Sequence, residues 1–175
     1  MNEKSLSTSE APQVVLKIHG NLHLKGIEES QVIAQVDSLE DLSLEGQEDR
    51  VRVECSSNTA VRVPRGAKVE IEGVHGNAEI RALEGELTIR EIDGNLALRS
   101  IGPTQLDLLR GNLSVKHLNG DLSIDAIDGN VTARDVVGSF MVGKAIRGNL
   151  SLDDVTGNVK VHADGNLVSF ARPML

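Results

Sequence analysis

Two adjoining nonapeptides, GDLSIDAID at residues 120–128 and GNVTARDVV at residues 129–137, set the pattern for most of this 175-residue chain. Each begins with glycine and a turn-forming polar residue, and each places apolar side chains at positions 3, 5 and 8. A short fixed period of this kind indicates a repeat protein, in which neighbouring units stabilise one another. The units begin at Gly76, Gly85, Gly94, Gly102, Gly111, Gly120, Gly129, Gly138, Gly148, Gly157 and Gly165.

The pattern within one unit predicts a short strand followed by a bend and a corner. Positions 3 and 5 lie two residues apart and therefore share one face of a strand, while positions 4 and 6 point the other way. Position 8 breaks this alternation, which indicates a bend near position 7. The Gly-Asn or Gly-Asp step predicts a tight corner, because both residues tolerate positive φ. No segment shows a helical period, so we expect an all-β protein with almost no helix.

Position 2 shows that the true period is two nonapeptides, because asparagine occupies it in alternate units. We predict a β-solenoid, right-handed, with about 18 residues per coil and eight or nine coils. An antiparallel meander would also alternate its corners, but it would leave an apolar face uncovered. In the solenoid the asparagines stack about 4.8 Å apart in a structural ladder. They are Asn77, Asn95, Asn112, Asn130, Asn149 and Asn166.

The remaining sequence extends the same domain. We interpret residues 1–12 as a disordered polar tail and residues 13–172 as one solenoid, with degenerate coils at 13–75 and regular repeats at 76–172. Cys55, the single cysteine, follows two valines at strand spacing and is expected in the core. The sequence shows neither a secretory apolar segment nor an apolar stretch long enough to span a membrane, so we expect a cytoplasmic protein.

The pattern Gly-Asn/Asp-Leu/Val-x-Val/Ile at residues 120–137 resembles the bacterial putative-adhesin β-solenoid domains. The segment VRVPRGAKV at residues 61–69 resembles the lead-in before their repeats. The likeness covers about residues 14–170. It implies the solenoid architecture and no particular activity. More distantly, the chain is similar to bactofilins, which implies polymerisation from end to end; this second comparison is an analogy of architecture.

The composition argues against most kinds of chemistry. Calcium-binding nonapeptide rolls need paired glycines and an aspartate in every turn, which these units lack. The net charge of −8 argues against nucleic-acid binding, and the absence of Trp and Tyr argues against glycan platforms and single-strand binding. The five histidines and the pairs Asp125/Asp128 and Asp153/Asp154 are interpreted as surface groups. We therefore expect no enzyme, no cofactor and no metal site.

One exposed column could bind a partner. Position 6 of four alternate units is cationic, and the solenoid would stack these side chains about 4.8 Å apart. They are Arg81, Arg99, Lys116 and Arg134. One interpretation is a solvated face balanced by acids such as Glu79 and Asp135; the other is a row that binds anions or a partner. Reversing the charge of Arg99 and Lys116 distinguishes the two.

The ends of a solenoid expose unpaired backbone groups, and the sequence offers no covering helix. Phe170 occupies a normally polar position, and Met174 and Leu175 are apolar. The terminus could fold back over the core, pair with another molecule, or continue into a longer chain. We favour pairing, and hence expect a structural scaffold that self-associates into dimers or filaments. The alternative is an adhesin-like or anion-binding module that uses the four cations.

Overall fold

The computed structural model describes residues 2–160 and 167–171, which form two long sheets and one short 3₁₀ turn at Leu39–Asp41. The prediction of an all-β protein with almost no helix is confirmed. Sheet I contains β1 (Asn2–Ser7), β3 (Leu22–Ile27), β4 (Gln31–Val36), β7 (Thr59–Pro64), β9 (Ala78–Leu83), β11 (Leu96–Ile101), β13 (Leu113–Asn119), β15 (Val131–Val137), β17 (Leu150–Val155) and β19 (Leu167–Ala171). Sheet II contains β2 (Gln13–Ile18), β5 (Leu42–Gln47), β6 (Arg50–Cys55), β8 (Lys68–Val74), β10 (Leu87–Ile92), β12 (Thr104–Leu109), β14 (Leu122–Ile127), β16 (Phe140–Ile146) and β18 (Val159–Lys160).

From β8 onwards, successive strands alternate between the two sheets. From β10 onwards, each strand pairs in parallel with the strand two places before it, so that Leu96 lies beside Leu113 in sheet I and Leu87 beside Thr104 in sheet II. An antiparallel meander would instead pair consecutive strands. The apolar faces of the two sheets share one core, in which the side chains at positions 3, 5 and 8 of the nonapeptides are buried.

A left-handed residue explains why position 8 faces the core in sheet I. The residues at position 7 of its strands have φ between 55° and 60°, although none of them is glycine. This conformation resets the alternation of the strand, so the next side chain turns inward and is buried, as Leu83 and Ile101 show. The left-handed residues are Ala82, Ser100, His117, Asp135 and Asp154.

The glycines at the corner before sheet I provide space for close packing. A Cβ on Gly94 would lie 2.5 Å from Oδ1 of Asn77 and 2.7 Å from the carbonyl oxygen of Gly76. Neither Gly94 nor the following Asn95 has positive φ, so the sequence-based explanation of this corner was wrong. Glycine is needed here because the neighbouring coil lies too close for any side chain.

The first strands are not stacked in the order of the chain. Strand β2 lies between β6 and β8 in sheet II, and β3 lies between β7 and β9 in sheet I. Val14 is consequently flanked by Val51 and Val69, both from much later in the sequence. The N-terminal repeats therefore form an internal layer of the molecule.

Antiparallel strands cover the N-terminal end. Strand β4 pairs with β7, β1 pairs with β4, and β5 pairs with β6. The expectation of a disordered tail at residues 1–12 is corrected for Asn2–Ser7, which form β1. The polar sequence is compatible with this strand, because an edge strand needs backbone partners and little apolar surface. Only Leu6 of β1 packs against the core, and Lys4 donates a hydrogen bond to the carbonyl oxygen of Leu42 at 3.1 Å.

Candidate functional site

A column of asparagines follows the corner before sheet I. The side-chain Oδ1 of each one accepts the backbone N–H of the next, as between Asn77 and Asn95 at 2.8 Å and between Asn95 and Asn112 at 2.9 Å. The described members, here called the asparagine ladder, are Asn58, Asn21, Asn77, Asn95, Asn112, Asn130 and Asn149. The nonapeptide pattern did not predict Asn21 and Asn58 as members of the ladder. It did predict Asn166, which lies outside the described residues.

The ladder leaves its amide nitrogens unused. Every hydrogen bond along it joins a side-chain oxygen to a backbone N–H. Within residues 2–160, no ladder side-chain NH₂ donates to a protein acceptor. Asn77, Asn95, Asn112 and Asn130 are exposed. The ladder is therefore a line of free hydrogen-bond donors, repeated once in each pair of strands.

Four residues after the first six ladder asparagines, the sheet I strand contributes an outward cation, whereas the position after Asn149 is Asp153. The register places Arg99 between Arg81 and Lys116, and Lys116 beside Arg134. Two further cations, which the sequence did not identify, continue the line at its N-terminal side: Lys25 lies beside Arg81, and Arg62 beside Lys25. We call the six together the cation row; in order they are Arg62, Lys25, Arg81, Arg99, Lys116 and Arg134, all exposed.

The cation row has almost no acidic partners. Nε of Arg134 lies 3.6 Å from Asp153, and no carboxylate of residues 2–160 lies within 4.0 Å of the other five cations. The acids that were considered as balancing charges contact histidines instead: Glu79 lies 3.4 Å from Nδ1 of His23, and Asp135 lies 3.2 Å from Nδ1 of His117. Five of the six cations of the row therefore form no ion pair with residues 2–160 of an acidic protein.

Two arginines on the outer face of sheet II, Arg52 and Arg90, are paired with glutamates. Arg52 donates hydrogen bonds to Glu72 and Glu54 at 3.1 Å, and Arg90 lies 2.8 Å from Glu70. The hydrogen bond from Arg52 holds the pKa of Glu72 below its usual value, and the two glutamates raise the pKa of Arg52. Local acids thus neutralise these exposed cations of the opposite face. Sheet II also carries cations without a carboxylate within 4.0 Å among residues 2–160, such as Lys17 and Arg50, so what distinguishes sheet I is the alignment of its unpaired cations in one row.

A groove of about 590 Å³ lies along the asparagine ladder on sheet I. Its floor over the later strands consists of small side chains, those of Ala97, Ser114 and Thr132. Ala97 and Arg99 are two residues apart on the same face of β11, so the cation row runs about 7 Å beyond the floor. One wall of this ladder groove therefore offers neutral amide donors, and the cation row lies beyond the opposite edge of its floor, outside the residues that line the groove.

The N-terminal part of the groove differs from the rest. His23 and Glu79 line it there and form the contact described above. A second cavity of about 150 Å³ adjoins them and is lined by Lys25, Arg62 and Gln35 among others. Glu79 is thus an acidic group within a surface that is otherwise neutral or cationic.

The histidines considered from the sequence do not form a metal site in the described residues, where no group of three or more possible ligands occurs. The ring of His19 stacks on that of His75, with centroids 4.9 Å apart and planes at 10°. Nδ1 of His75 also lies 2.9 Å from Oδ2 of Asp93.

The carboxylates and the cysteine occupy structural positions. Repulsion from Asp153, with smaller contributions from burial and Asp135, raises the pKa of Asp154. Cys55 is buried in the core. For Phe170 only the backbone position in β19 is described, and Met174 and Leu175 lie outside the described residues. None of the described helical residues forms a segment long and apolar enough to cross a membrane.

No protein-family model matches the sequence, and no curated protein matches it. Several solved structures are similar to the chain, among them two bacterial proteins. One is a putative adhesin from Bacteroides fragilis NCTC 9343, with 11% identity, a TM-score of 0.48, and coverage of 97% of this chain and 96% of that chain. The other is a putative cell adhesion protein from Clostridium sporogenes ATCC 15579, with 12% identity, a TM-score of 0.35, and coverage of 98% and 99%.

Proposed function

We propose that the protein is a non-enzymatic β-solenoid scaffold whose cation row binds a linear anionic partner. One observation carries this proposal: six cations stand in register on a chain with a net charge of −8, and five of them have no carboxylate within 4.0 Å among residues 2–160. An anion-binding function requires such charge to be left available for the ligand.

The electrostatic cost of the row supports a bound anion. Two unit charges about 4.8 Å apart repel by about 0.9 kcal/mol even in bulk water, and by several times more at a protein surface. Six cations spaced at this interval extend over about 24 Å. A flexible or extended polyanion that follows the row relieves every repulsion at once. A compact anion relieves only one or two of them.

The scaffold has the geometry to hold the row straight. In this proposal, each pair of strands is one coil of a right-handed solenoid with eight or nine coils. Successive ladder asparagines from Asn77 to Asn149 are 17 to 19 residues apart, which supports about 18 residues per coil. Parallel strands fixed in register then present equivalent side chains at one interval. A cytoplasmic location stays a prediction.

Charge reversal tests the proposed function. The double variant Arg99→Glu/Lys116→Glu inverts the centre of the cation row, and Lys17→Glu/Arg50→Glu is a control with the same change in net charge on sheet II, where both residues are exposed. The probe is long-chain polyglutamate at low ionic strength, measured by calorimetry. We expect the row variant to bind about tenfold or more weakly, with a reduced dependence on salt, and the control to bind almost as wild type.

Equal losses in the two variants would show that net charge alone determines binding, which contradicts a site at the row. Thermal unfolding of both variants establishes that they are folded. Exposed charges of this kind contribute little to stability, so both variants are expected to unfold near the wild-type temperature.

Self-association through the ends stays a second prediction. We do not expect the N-terminal end to take part in self-association, because antiparallel strands cover that end. Lys4 also lies on the inner side of β1, the outermost of these strands in sheet I. Pairing would therefore use the C-terminal end, which gives dimers rather than filaments.

A further inference from the structure

We propose that the ladder groove holds an extended acidic polysaccharide, with its carboxylates on the cation row and its hydroxyls on the free amides of the asparagine ladder. The inference rests on the proposed function and specifies the chemical class of the anion. It depends on the juxtaposition of two unlike rows, one neutral and one cationic, with a groove between them.

The repeat distance favours a sugar polymer. Both rows repeat once per parallel strand, at about 4.8 Å. One hexuronate residue in an extended chain advances by about this strand spacing. Successive residues turn to opposite sides, so every second sugar meets an equivalent pair of protein groups, about 9.6 Å apart and in step with every second strand. An extended peptide advances by about 3.3 Å per residue, and its acidic side chains fall out of step with the row. Charge spacing therefore distinguishes a polyuronate from an acidic peptide.

The two rows also match the two kinds of group on a uronate. A carboxylate binds best to the charged donors of Arg99, Lys116 and Arg134. Sugar hydroxyls accept hydrogen bonds from neutral donors. The side-chain NH₂ groups of Asn95 and Asn112 donate to no acceptor within residues 2–160 and are therefore available to a ligand. The ladder and the row lie about 13 Å apart along each strand, with the groove floor halfway between them. A simple polyanion would leave the amide wall without a partner.

The floor admits a polymer beside both rows. Ala97, Ser114 and Thr132 are small, and none of them is acidic. The protein has no Trp or Tyr, so sugar rings and nucleic-acid bases have no aromatic platform of those types to stack on. Binding must therefore come from charge and hydrogen bonds, and it weakens with added salt.

Blocking the groove without altering its charge tests this inference. The variant Ala97→Phe/Ser114→Phe fills the floor and keeps the whole cation row. Gln105→Phe/Ser123→Phe places the same bulk on the outer face of sheet II as a matched control. The probes are oligogalacturonate and oligoglutamate, each of about ten residues and equal charge, measured by calorimetry at the same ionic strength.

We expect wild type to bind oligogalacturonate about tenfold more tightly than oligoglutamate. The filled groove should lose this preference and retain the weaker binding of oligoglutamate, while the sheet II control keeps both affinities. Equal affinity of wild type for the two oligomers, or an unchanged preference in the filled groove, overturns the polysaccharide assignment.

The outcomes separate the two proposals. If only the polysaccharide assignment is wrong, the variant Arg99→Glu/Lys116→Glu still binds polyanions more weakly than wild type, and the proposed function stands. The proposed function itself would be refuted if the charge-reversed variant Arg99→Glu/Lys116→Glu bound both oligomers as tightly as wild type. Tighter binding of oligothymidylate than of oligogalacturonate would assign the groove to single-stranded nucleic acid and would also overturn the inference.

Discussion

The side-chain oxygen of Asn77 accepts the backbone N–H of Asn95 at 2.8 Å, and it occupies the space that a Cβ on Gly94 would need. The asparagine of one coil and the glycine of the next are thus parts of one contact. This explains why Gly and Asn recur together without positive φ at either residue. It also makes the two residues separately testable.

Gly94→Ala is expected to lower the free energy of unfolding by about 1–3 kcal/mol, because the new methyl group must displace Asn77 or the backbone of Gly76. Gly73→Ala is the matched control. A Cβ there would meet nothing within 4 Å, so this variant should be neutral or slightly more stable. Urea unfolding of the two variants measures the difference. Equal stabilities would refute the close-packing explanation of the corner.

Asn112→Ala removes the oxygen that accepts the N–H of Asn130 at 2.8 Å. We expect a loss of about 1 kcal/mol, which is typical for one hydrogen bond. Asn112→Asp keeps an acceptor in the same place and should lose less than the alanine variant. Thermal unfolding at moderate salt gives this order. An alanine variant as stable as the aspartate variant would mean that the ladder bond contributes nothing.

Ala82 has φ of 60°, a conformation that costs most residues about 1–2 kcal/mol. Ala82→Asn should therefore raise the free energy of unfolding by up to about 1 kcal/mol, because asparagine adopts the left-handed region more easily. The same substitution at Ala97, which lies in the regular strand β11, should give no gain. Chemical denaturation of both variants provides the comparison, and a gain at both positions would point to a cause other than backbone conformation.

Asp154 predicts a pH dependence of stability. Repulsion from Asp153, followed by burial and Asp135, raises its pKa above the ordinary 3.8. Ionisation therefore costs more in the folded state, so stability is greater below pH 3.8 and falls as the pH rises through the raised pKa. Asp154→Asn should unfold at a higher temperature than wild type at pH 7, and the gain should disappear in acid and shrink with salt.

Asp128→Asn is the control for this effect, because Asp128 lies 3.7 Å from Nε of Arg147 and its charge is attracted rather than repelled. That variant should show no gain at pH 7. A similar rise for both asparagine variants would indicate a general benefit of removing acid charge from an acidic protein.

Lys4 bears on the prediction of self-association. It lies opposite the buried Ala34 in the pairing of β1 with β4, and so faces the inner side of the edge strand. An inward charge on an edge strand opposes pairing with another molecule. Lys4→Ile should therefore associate with rising concentration in sedimentation experiments. Lys17→Ile, an equal change on an internal strand, should not. A variant Lys4→Ile that sediments like wild type would show that the edge is protected in another way.

The regular repeats could be predicted from the sequence because each nonapeptide carries its own pattern of burial. Positions 3, 5 and 8 face the core in the nonapeptides of residues 76–137, as in Leu113, Val115 and Leu118; in the longer unit at 138–147 the register shifts and Ile146 is buried instead. Constant spacing also identified the central cations of the row. In this region, equivalent positions in the sequence become neighbours in space.

The N-terminal layers could not be predicted because their neighbours are distant in the sequence. Asn21 accepts a hydrogen bond from a residue 56 positions away, and Arg62 lies beside Lys25. No period relates these pairs. The left-handed conformation was equally hidden at Ala82 and Ser100, since alanine and serine have no intrinsic preference for positive φ. Contacts across the sheets override local propensity at those sites.

The placement of β2 and β3 between later strands has a consequence for synthesis on the ribosome. These strands emerge first, yet their lateral partners are β6 and β7 on one side and β8 and β9 on the other. The earliest segment must wait for translation to reach about residue 83 before both of its edges are covered. Growth of the native stack therefore cannot proceed outward from the amino terminus, and a nascent chain halted before β6 exposes apolar strands that a chaperone would have to protect.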